Sequence, residues 1–312
     1  MENDKSFIKY YNHTTMTTIF NIITCPVCGG ELRRENRSLV CASGHTFDIA
    51  KSGYVNMLPP GKEKNARTGD EKDMVRARVD FLAKGYYAGI SSAVADIMAE
   101  YTSGDAVLCD MGCGEGYHTC RFAGELHDKT GHSVLALGFD ASKYAAECAS
   151  KLAKSKGWLS RDGIGAELDS PVSCAFMPGN IFHLPVKDHA VTCAVSMFAP
   201  VAGDEARRIL TDDGILLVVS SGRNHLIEMR QLIYDDVHLS DSLPDTPDGF
   251  ELADRRNLTY TASIENKADI ASLFVMTPFY YKTTEAGRAR LAERETLDVT
   301  VDVNLSVFKV KL

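Results

Sequence analysis

Ala106-Val107-Leu108-Cys109-Asp110-Met111-Gly112-Cys113-Gly114-Glu115-Gly116 is the stretch on which the fold turns. Its first half is a short apolar run of the kind that forms a strand buried on both faces. Its second half is a glycine-rich turn from strand to helix, where a backbone without Cβ atoms can pass close to a ligand. Dinucleotide-binding folds use similar turns, and three details separate this one from them. Asp110 stands just before the glycines. The third, helix-proximal glycine of the dinucleotide fingerprint is absent. Asp140 closes the next apolar run, Val134–Asp140, where a carboxylate can accept ribose hydroxyls. Asp110 and Glu115 would repel a pyrophosphate but suit a ligand carrying a sulfonium and an ammonium group. The expected cofactor is therefore S-adenosyl-L-methionine, held by Asp110, Gly112, Gly114, Glu115, Gly116 and Asp140.

Strand-like runs continue at 173–177, 191–197 and 215–219, alternating with helical patterns. Such alternation implies an α/β fold with a mostly parallel sheet covered on both faces. Gly179-Asn180-Ile181 follows the third run, and Asn180 is expected at the adenine edge. Met197-Phe198-Ala199-Pro200 ends the fourth, where the substrate is expected to meet the methyl group. Upstream, a helical pattern starts at Asp70 and is interrupted by Gly85. Downstream, a helix is expected around 225–234 and β-like runs near 258–264 and 297–310.

A second motif lies near the N-terminus. Cys25-Pro26-Val27-Cys28 is a CxxC knuckle, and Cys41 and His45 follow after 12 intervening residues. Three thiolates and one imidazole complete a tetrahedral zinc set and leave no open position for a water, so the expected Zn2+ is structural. The flanking segment, from Cys28 to Arg67, is locally basic. Arg33, Arg34, Arg37, Lys51, Lys62, Lys64 and Arg67 face Glu31, Glu35, Asp48 and Glu63. That excess offers a route to RNA, with Arg33, Arg34 and Arg37 at the expected tip.

The chain as a whole points the other way. Its net charge is −8, whereas a protein that coats phosphate backbone usually carries a basic surface. No run reaches the roughly 18 apolar residues of a membrane span, and the first twenty residues carry no signal-peptide pattern. Nine cysteines, clustered only at the knuckle, fit a reducing cytoplasm. The expected organisation is a tail over 1–20, a zinc module over 21–60, a linker and helices over 61–104, and a methyltransferase domain with substrate-facing elements over 105–312.

Further residues carry a resemblance. After the zinc ligands comes Phe47-Asp48-Ile49-Ala50-Lys51-Ser52-Gly53-Tyr54-Val55-Asn56-Met57-Leu58-Pro59. Then follow Gly69-Asp70, Met74-Val75-Arg76-Ala77-Arg78, Phe81-Leu82-Ala83-Lys84-Gly85-Tyr86-Tyr87, the Asp110–Tyr117 loop, Phe198-Ala199-Pro200, His225-Leu226, Leu232-Ile233-Tyr234 and Met276-Thr277-Pro278-Phe279. With these the chain resembles the RlmA-type 23S ribosomal RNA (guanine-N1)-methyltransferases from about Ile23 onward. The resemblance implies a Rossmann-like, seven-stranded methyltransferase sheet and methylation of N1 of one guanine in a hairpin loop of 23S ribosomal RNA. It also implies cofactor contacts from Tyr87 and His225, and a homodimer. Two other classes fit the motifs alone: a small-molecule or protein methyltransferase, and a non-catalytic zinc-dependent RNA-binding protein. Guanine N1 bears a proton at neutral pH, so a base is expected. By position, His183 and the acids of 204–213 are its candidates, and Phe198 and Tyr54 are candidates to stack on the guanine.

Overall fold

The computed structural model describes residues 18–58, 71–237, 239 and 243–311. Most of the expected tail, much of the loop around Pro59–Lys72, and Lys62, Lys64 and Arg67 lie outside the described residues. The described chain packs from Ile19 onward, in a single-turn 3-10 helix, Ile19–Asn21, whose Ile19 is buried.

A small three-stranded antiparallel sheet follows: β1 (Leu32–Glu35), β2 (Ser38–Cys41) and β3 (Thr46–Asp48). Leu32, Leu39 and Phe47 bury one face of this ribbon, and polar residues alternate on the other. Helices α1 (Lys72–Leu82) and α2 (Ala88–Tyr101) come next. Gly85, between them, takes a left-handed φ of 83°.

The main sheet contains β4 (Ala106–Met111), β5 (Val134–Asp140), β6 (Val172–Pro178), β7 (Val191–Met197), β8 (Leu210–Ser221), β9 (Phe250–Ile264) and β10 (Leu297–Val310). Their order is β6-β5-β4-β7-β8-β10-β9. The first five are parallel, and β10 and β9 return antiparallel. The expected seven-stranded, mostly parallel α/β sheet is thus present. Helices α3 (Tyr117–Thr130), α4 (Lys143–Ser155), α5 (Gly203–Ile209) and α6 (Ile227–Ile233) connect strands. A further set, α7 (Lys267–Val275), α8 (Phe279–Lys282) and α9 (Glu285–Ala292), is inserted between β9 and β10.

The strands are apolar because the sheet is covered on both faces. All six residues of β4 are buried. Helix α4 lies close through a small-residue face of Ala145, Ala146, Ala149 and Ala153, and Ser142 caps it by accepting the Ala145 N–H. Among the described residues no helix is long and apolar enough to cross a membrane.

Candidate functional site

The C-terminal ends of the parallel strands bring Gly112, Asp140 and Phe198 to one end of the sheet, the place where open α/β sheets bind ligands. Gly112 and Cys113 donate their N–H groups to Phe139 O at 2.8 and 3.0 Å. Gly112 sits at φ 105°, and a Cβ there would approach Ala199 Cβ to 2.7 Å. Gly116, at φ 80°, opens α3 with Ala149 where its own Cβ would be. Both positions therefore require glycine. Asp140 fixes the loop from the neighbouring strand: its Oδ2 accepts Gly114 N–H at 3.0 Å and its Oδ1 accepts Ser142 N–H at 2.8 Å.

Two more acids converge on this loop. Asp110 is buried and accepts a 2.5 Å hydrogen bond from Thr119 Oγ1. Burial, with Asp140 and Glu115 nearby, pushes its carboxyl up to about 7. Glu115 is also buried and is raised to about 7 by burial, against the pull of Arg78, whose Nη1 lies 3.7 Å away. Its Oε2 has no hydrogen-bond partner. A buried carboxylate oxygen that lacks a hydrogen bond, held by the 3.7 Å pair with Arg78 and close to Asp110 and Asp140, makes a cradle for a cation. The donor chemistry of S-adenosylmethionine, a sulfonium with an ammonium, fits it.

Tyr87 and His225 meet at the same end. Asp302 donates its backbone N–H to His225 Nδ1 at 3.2 Å, so the ring proton resides on Nε2. Nε2–H then donates to Tyr87 Oη at 3.4 Å. Burial lowers His225 to about 4, so the ring is neutral near pH 7. Burial raises Tyr87 above its ordinary value, so the phenol keeps its proton as a donor. With Nδ1 accepting the Asp302 N–H and Nε2 protonated, the neutral ring has no free lone pair for a substrate proton. The ring of His225 lies 5.6 Å from that of Phe198, tilted by 31°. Phe198 is 46% exposed and holds a left-handed φ of 51°, a strained conformation for a bulky residue. Ser196 Oγ, donating to Ala199 O and Pro200 O, and Phe198 N–H, donating to Val219 O, pin the segment.

The remaining expectations divide. Asn180 is exposed, and its Oδ1 accepts Phe182 N–H within its own loop. Glu205 is engaged structurally, accepting Leu184 N–H and pairing with Arg208. Asp212 and Asp213 stand at the start of β8, the opposite end of the sheet from Phe198. These three acids are therefore removed as candidate bases. Tyr54 packs against the core. Arg78, Thr119, Ser196 and Asp302 join the site through contacts that sequence spacing does not mark. Thr119 is legible afterwards as a first-turn residue of α3 facing the end of β4, whereas nothing local marks Asp302, 77 residues from His225.

At the other motif the donor atoms of Cys25, Cys28, Cys41 and His45 lie within 4.8 Å of one another. Cys28 Sγ is 3.8 Å from Cys41 Sγ, and His45 Nδ1 is 3.6 and 3.3 Å from Cys25 and Cys41 Sγ. A zinc tetrahedron with bonds of about 2.3 Å to sulfur and about 2.0 Å to nitrogen has edges of about 3.8 and 3.5 Å. The donor set fits Zn2+. The Gly30 N–H aimed at Cys28 lowers that thiol to about 6, which favours the ligating thiolate.

Of the three arginines expected at the tip of the ribbon, Arg33 and Arg37 are exposed, whereas Arg34 is turned into the protein. Arg34 donates to Asp162 O, Ile164 O and Asn36 O at 2.8, 2.7 and 3.0 Å. Arg37 reaches Ile49 O and Ala50 O, and Arg33 pairs with Glu35 at 2.7 Å. Arg34 thereby ties the ribbon to the sheet domain. Thr24 N–H to Pro185 O, Lys187 N–H to Ile22 O and Met57 N–H to Pro178 O complete that seam.

Comparisons with known proteins agree with both halves. The family model described as RlmA, N-terminal, a zinc ribbon, matches residues 23–67, and one described as a methyltransferase domain matches residues 109–218. Fold and site together define a Rossmann-like S-adenosylmethionine-dependent methyltransferase with a structural zinc ribbon. The 23S rRNA (guanine(748)-N(1))-methyltransferase of Streptomyces fradiae is 32% identical over 213 residues, covering 68% of this chain and 67% of that protein. A Micromonospora griseorubida protein, provisionally named a 23S rRNA (guanine-N(1)-)-methyltransferase, is 30% identical over 92% of this chain and 97% of its own length. A Bacillus subtilis (strain 168) protein with the same provisional activity is 28% identical over 93% of this chain and 98% of its own length. The chain belongs to the family of 23S rRNA (guanine-N1)-methyltransferases.

Proposed function

We propose that the chain transfers a methyl group from S-adenosylmethionine to N1 of one unpaired guanine in a hairpin loop of 23S ribosomal RNA. The observation that carries this reading is the exposed, strained Phe198 ring beside the cofactor loop. N1 lies on the Watson–Crick edge, so the guanine must leave its pair and stack. An aromatic face fixed at the end of β7 suits that task, and Phe198 is assigned to it.

S-adenosylmethionine supplies, when bound, an electrophilic methyl on a sulfonium. Backbone around Gly112, Gly114 and Gly116 approaches it closely. Asp140 is assigned to its ribose, Asn180 to its adenine side, and Asp110 and Glu115 to its positive charge. Tyr87 contributes a hydroxyl proton, and His225 orients that hydroxyl. Alignment of methyl and N1 is the main contribution, worth up to about 7–11 kcal/mol in ideal cases. The N1 proton passes to an acceptor other than the Tyr87–His225 pair. His183, whose backbone N–H donates to Asn180 O in the loop after β6, and Asp204, in the first turn of α5 after β7, are the candidates that stay with the catalytic end.

Cys25, Cys28, Cys41 and His45 are assigned to structural zinc. A homodimer in the cytoplasm completes the reading; among the described strands β6 and β9 stand at the two edges of the main sheet, and the β9 edge is assigned to a second copy.

The test is methyl transfer to ribosomal RNA from a strain lacking the modification, followed by mapping of the methylated base. N1-methylguanine in a 23S loop is expected. Label confined to a small metabolite or a protein would overturn the reading. Asp140→Ala should weaken cofactor binding about 100-fold in calorimetry, because it removes the clamp on the glycine loop as well as the ribose acceptor.

A further inference from the structure

The insertion between β9 and β10 stands over the catalytic end. Val303 pairs with Ser221 at the end of β8, so Leu297–Asp302 of β10 extends beyond it, opposite Ile264 and its neighbours in β9. Within the insertion, α8 reads Phe279-Tyr280-Tyr281-Lys282, and none of the four is buried. Tyr281 is 57% exposed. Phe279 and Tyr280 are half-buried against the core, which leaves Tyr281 as the exposed ring of the turn.

Their surroundings hold them rigidly. Arg288 lies 4.3 Å over the Tyr280 ring and donates to Tyr280 O and Thr283 O. Tyr280 and Tyr281 meet edge to face at 5.4 Å, and Phe279 meets Tyr234 at 6.1 Å. Arg290 donates to Leu232 O at 2.6 Å and pairs with Asp235 at 2.9 Å, which ties α9 to the helix following His225. Tyr86 Oη donates to Asp269 Oδ2 at 3.0 Å, which ties α7 to the residue beside Tyr87. The chain carries −8 overall, yet residues 279–294 hold Lys282, Arg288, Arg290 and Arg294 against Glu285 and Glu293.

We propose that α8 is a second stacking platform, which receives an unpaired nucleotide of the RNA loop that presents the target guanine, with Tyr281 as the stacking ring and Lys282 as a phosphate contact. Aromatic rings with interleaved cations are the combination that single-stranded RNA uses, since every base has a π-face and every nucleotide a phosphate. The ties to α6 and Tyr86 hold this platform in register with the methyl-transfer site. The inference rests on RNA being the substrate.

The experiment uses the full-length zinc-loaded protein, S-adenosylmethionine and a hairpin oligonucleotide copied from the mapped 23S site. Tyr281→Ala should raise KM for the hairpin by roughly 5- to 150-fold, with kcat within about twofold and cofactor affinity by calorimetry unchanged. Tyr281→Phe should restore KM, because stacking needs the ring and not the hydroxyl. Lys282→Gln should reduce the salt dependence of hairpin binding by about one phosphate contact. An unchanged KM in Tyr281→Ala, while the wild type methylates the hairpin, overturns this inference alone. An unchanged KM together with a shift from dimer to monomer in sedimentation assigns the face to a second copy and also overturns it. A wild type that methylates no ribosomal RNA overturns the functional reading, and this inference with it.

Discussion

The zinc ribbon and the cofactor site are built on opposite plans. All four metal ligands of the ribbon fall within Cys25–His45, and its turns are closed by neighbours: Gly29 N–H to Cys25 O, and Gly44 N–H to Cys41 O. The proposed cofactor site collects Tyr87, Asp110, Glu115, Asp140, His225 and Asp302 from across the chain, and the sheet brings them together. A site made of sequence neighbours depends on its metal and a few turns. A site made of distant segments depends on the whole fold. The ribbon, whose basic residues suggested an RNA contact, is through Arg34 and its backbone seam a brace for the loops at 162–164 and 178–187.

The comparison breaks most visibly if the metal is removed. Structural zinc contributes about 10–16 kcal/mol to small modules of this kind. Cys41→Ser should therefore lose zinc and unfold the ribbon, read by metal analysis and by hydrogen exchange over 24–57. Because the seam reaches Pro178 and Pro185, cofactor affinity should fall as well, while the exchange protection of β4 and β7 persists. Retention of zinc by Cys41→Ser would refute the ligand set. Loss of zinc without any change in cofactor affinity would refute the brace.

Arg34 gives a smaller and sharper test. Hydrogen bonds from a charged donor each contribute about 1.5–3 kcal/mol, less where solvent reaches them. Arg34→Ala should cost about 2 kcal/mol in denaturant unfolding, whereas Arg33→Ala, which removes an exposed pair, should stay within about 0.5 kcal/mol. Neither should weaken RNA binding selectively. A variant of Arg34 with normal stability and poor RNA binding would return the ribbon to the role its composition suggested.

The smallest effect concerns protons at the cofactor site. Asp110 and Glu115 are raised to about 7 in the ligand-free fold. A carboxyl raised in this way favours folding while protonated, so its contribution is full below its ordinary pKa near 4 and is lost as pH climbs through 7. A cationic ligand has the reverse preference and binds the ionised pair. Affinity for S-adenosylmethionine should therefore rise roughly tenfold between pH 5.5 and 7.5, measured by calorimetry, and Glu115→Gln should flatten that rise. A flat profile in the wild type would mean that these acids do not face the cofactor's charge.

By itself, the sequence determined what is local. The CxxC knuckle with Cys41 and His45, the strand and glycine turn through Gly116, Asp140 at the end of the next strand, and the α/β alternation were all legible, because each needs only neighbouring residues at a fixed spacing. The tertiary structure decided what depends on partners. It set the tautomer of His225 through a backbone N–H from Asp302, and it excluded Glu205, Asp212 and Asp213 as bases by engaging the first and placing the others at the far end of β8. It also engaged Arg34 and Arg37 with carbonyl oxygens and left Tyr281 exposed. The reason is physical: spacing along a chain fixes which groups can share a turn, but the protonation, pairing and exposure of a side chain follow from its neighbours in space, which only the folded chain specifies.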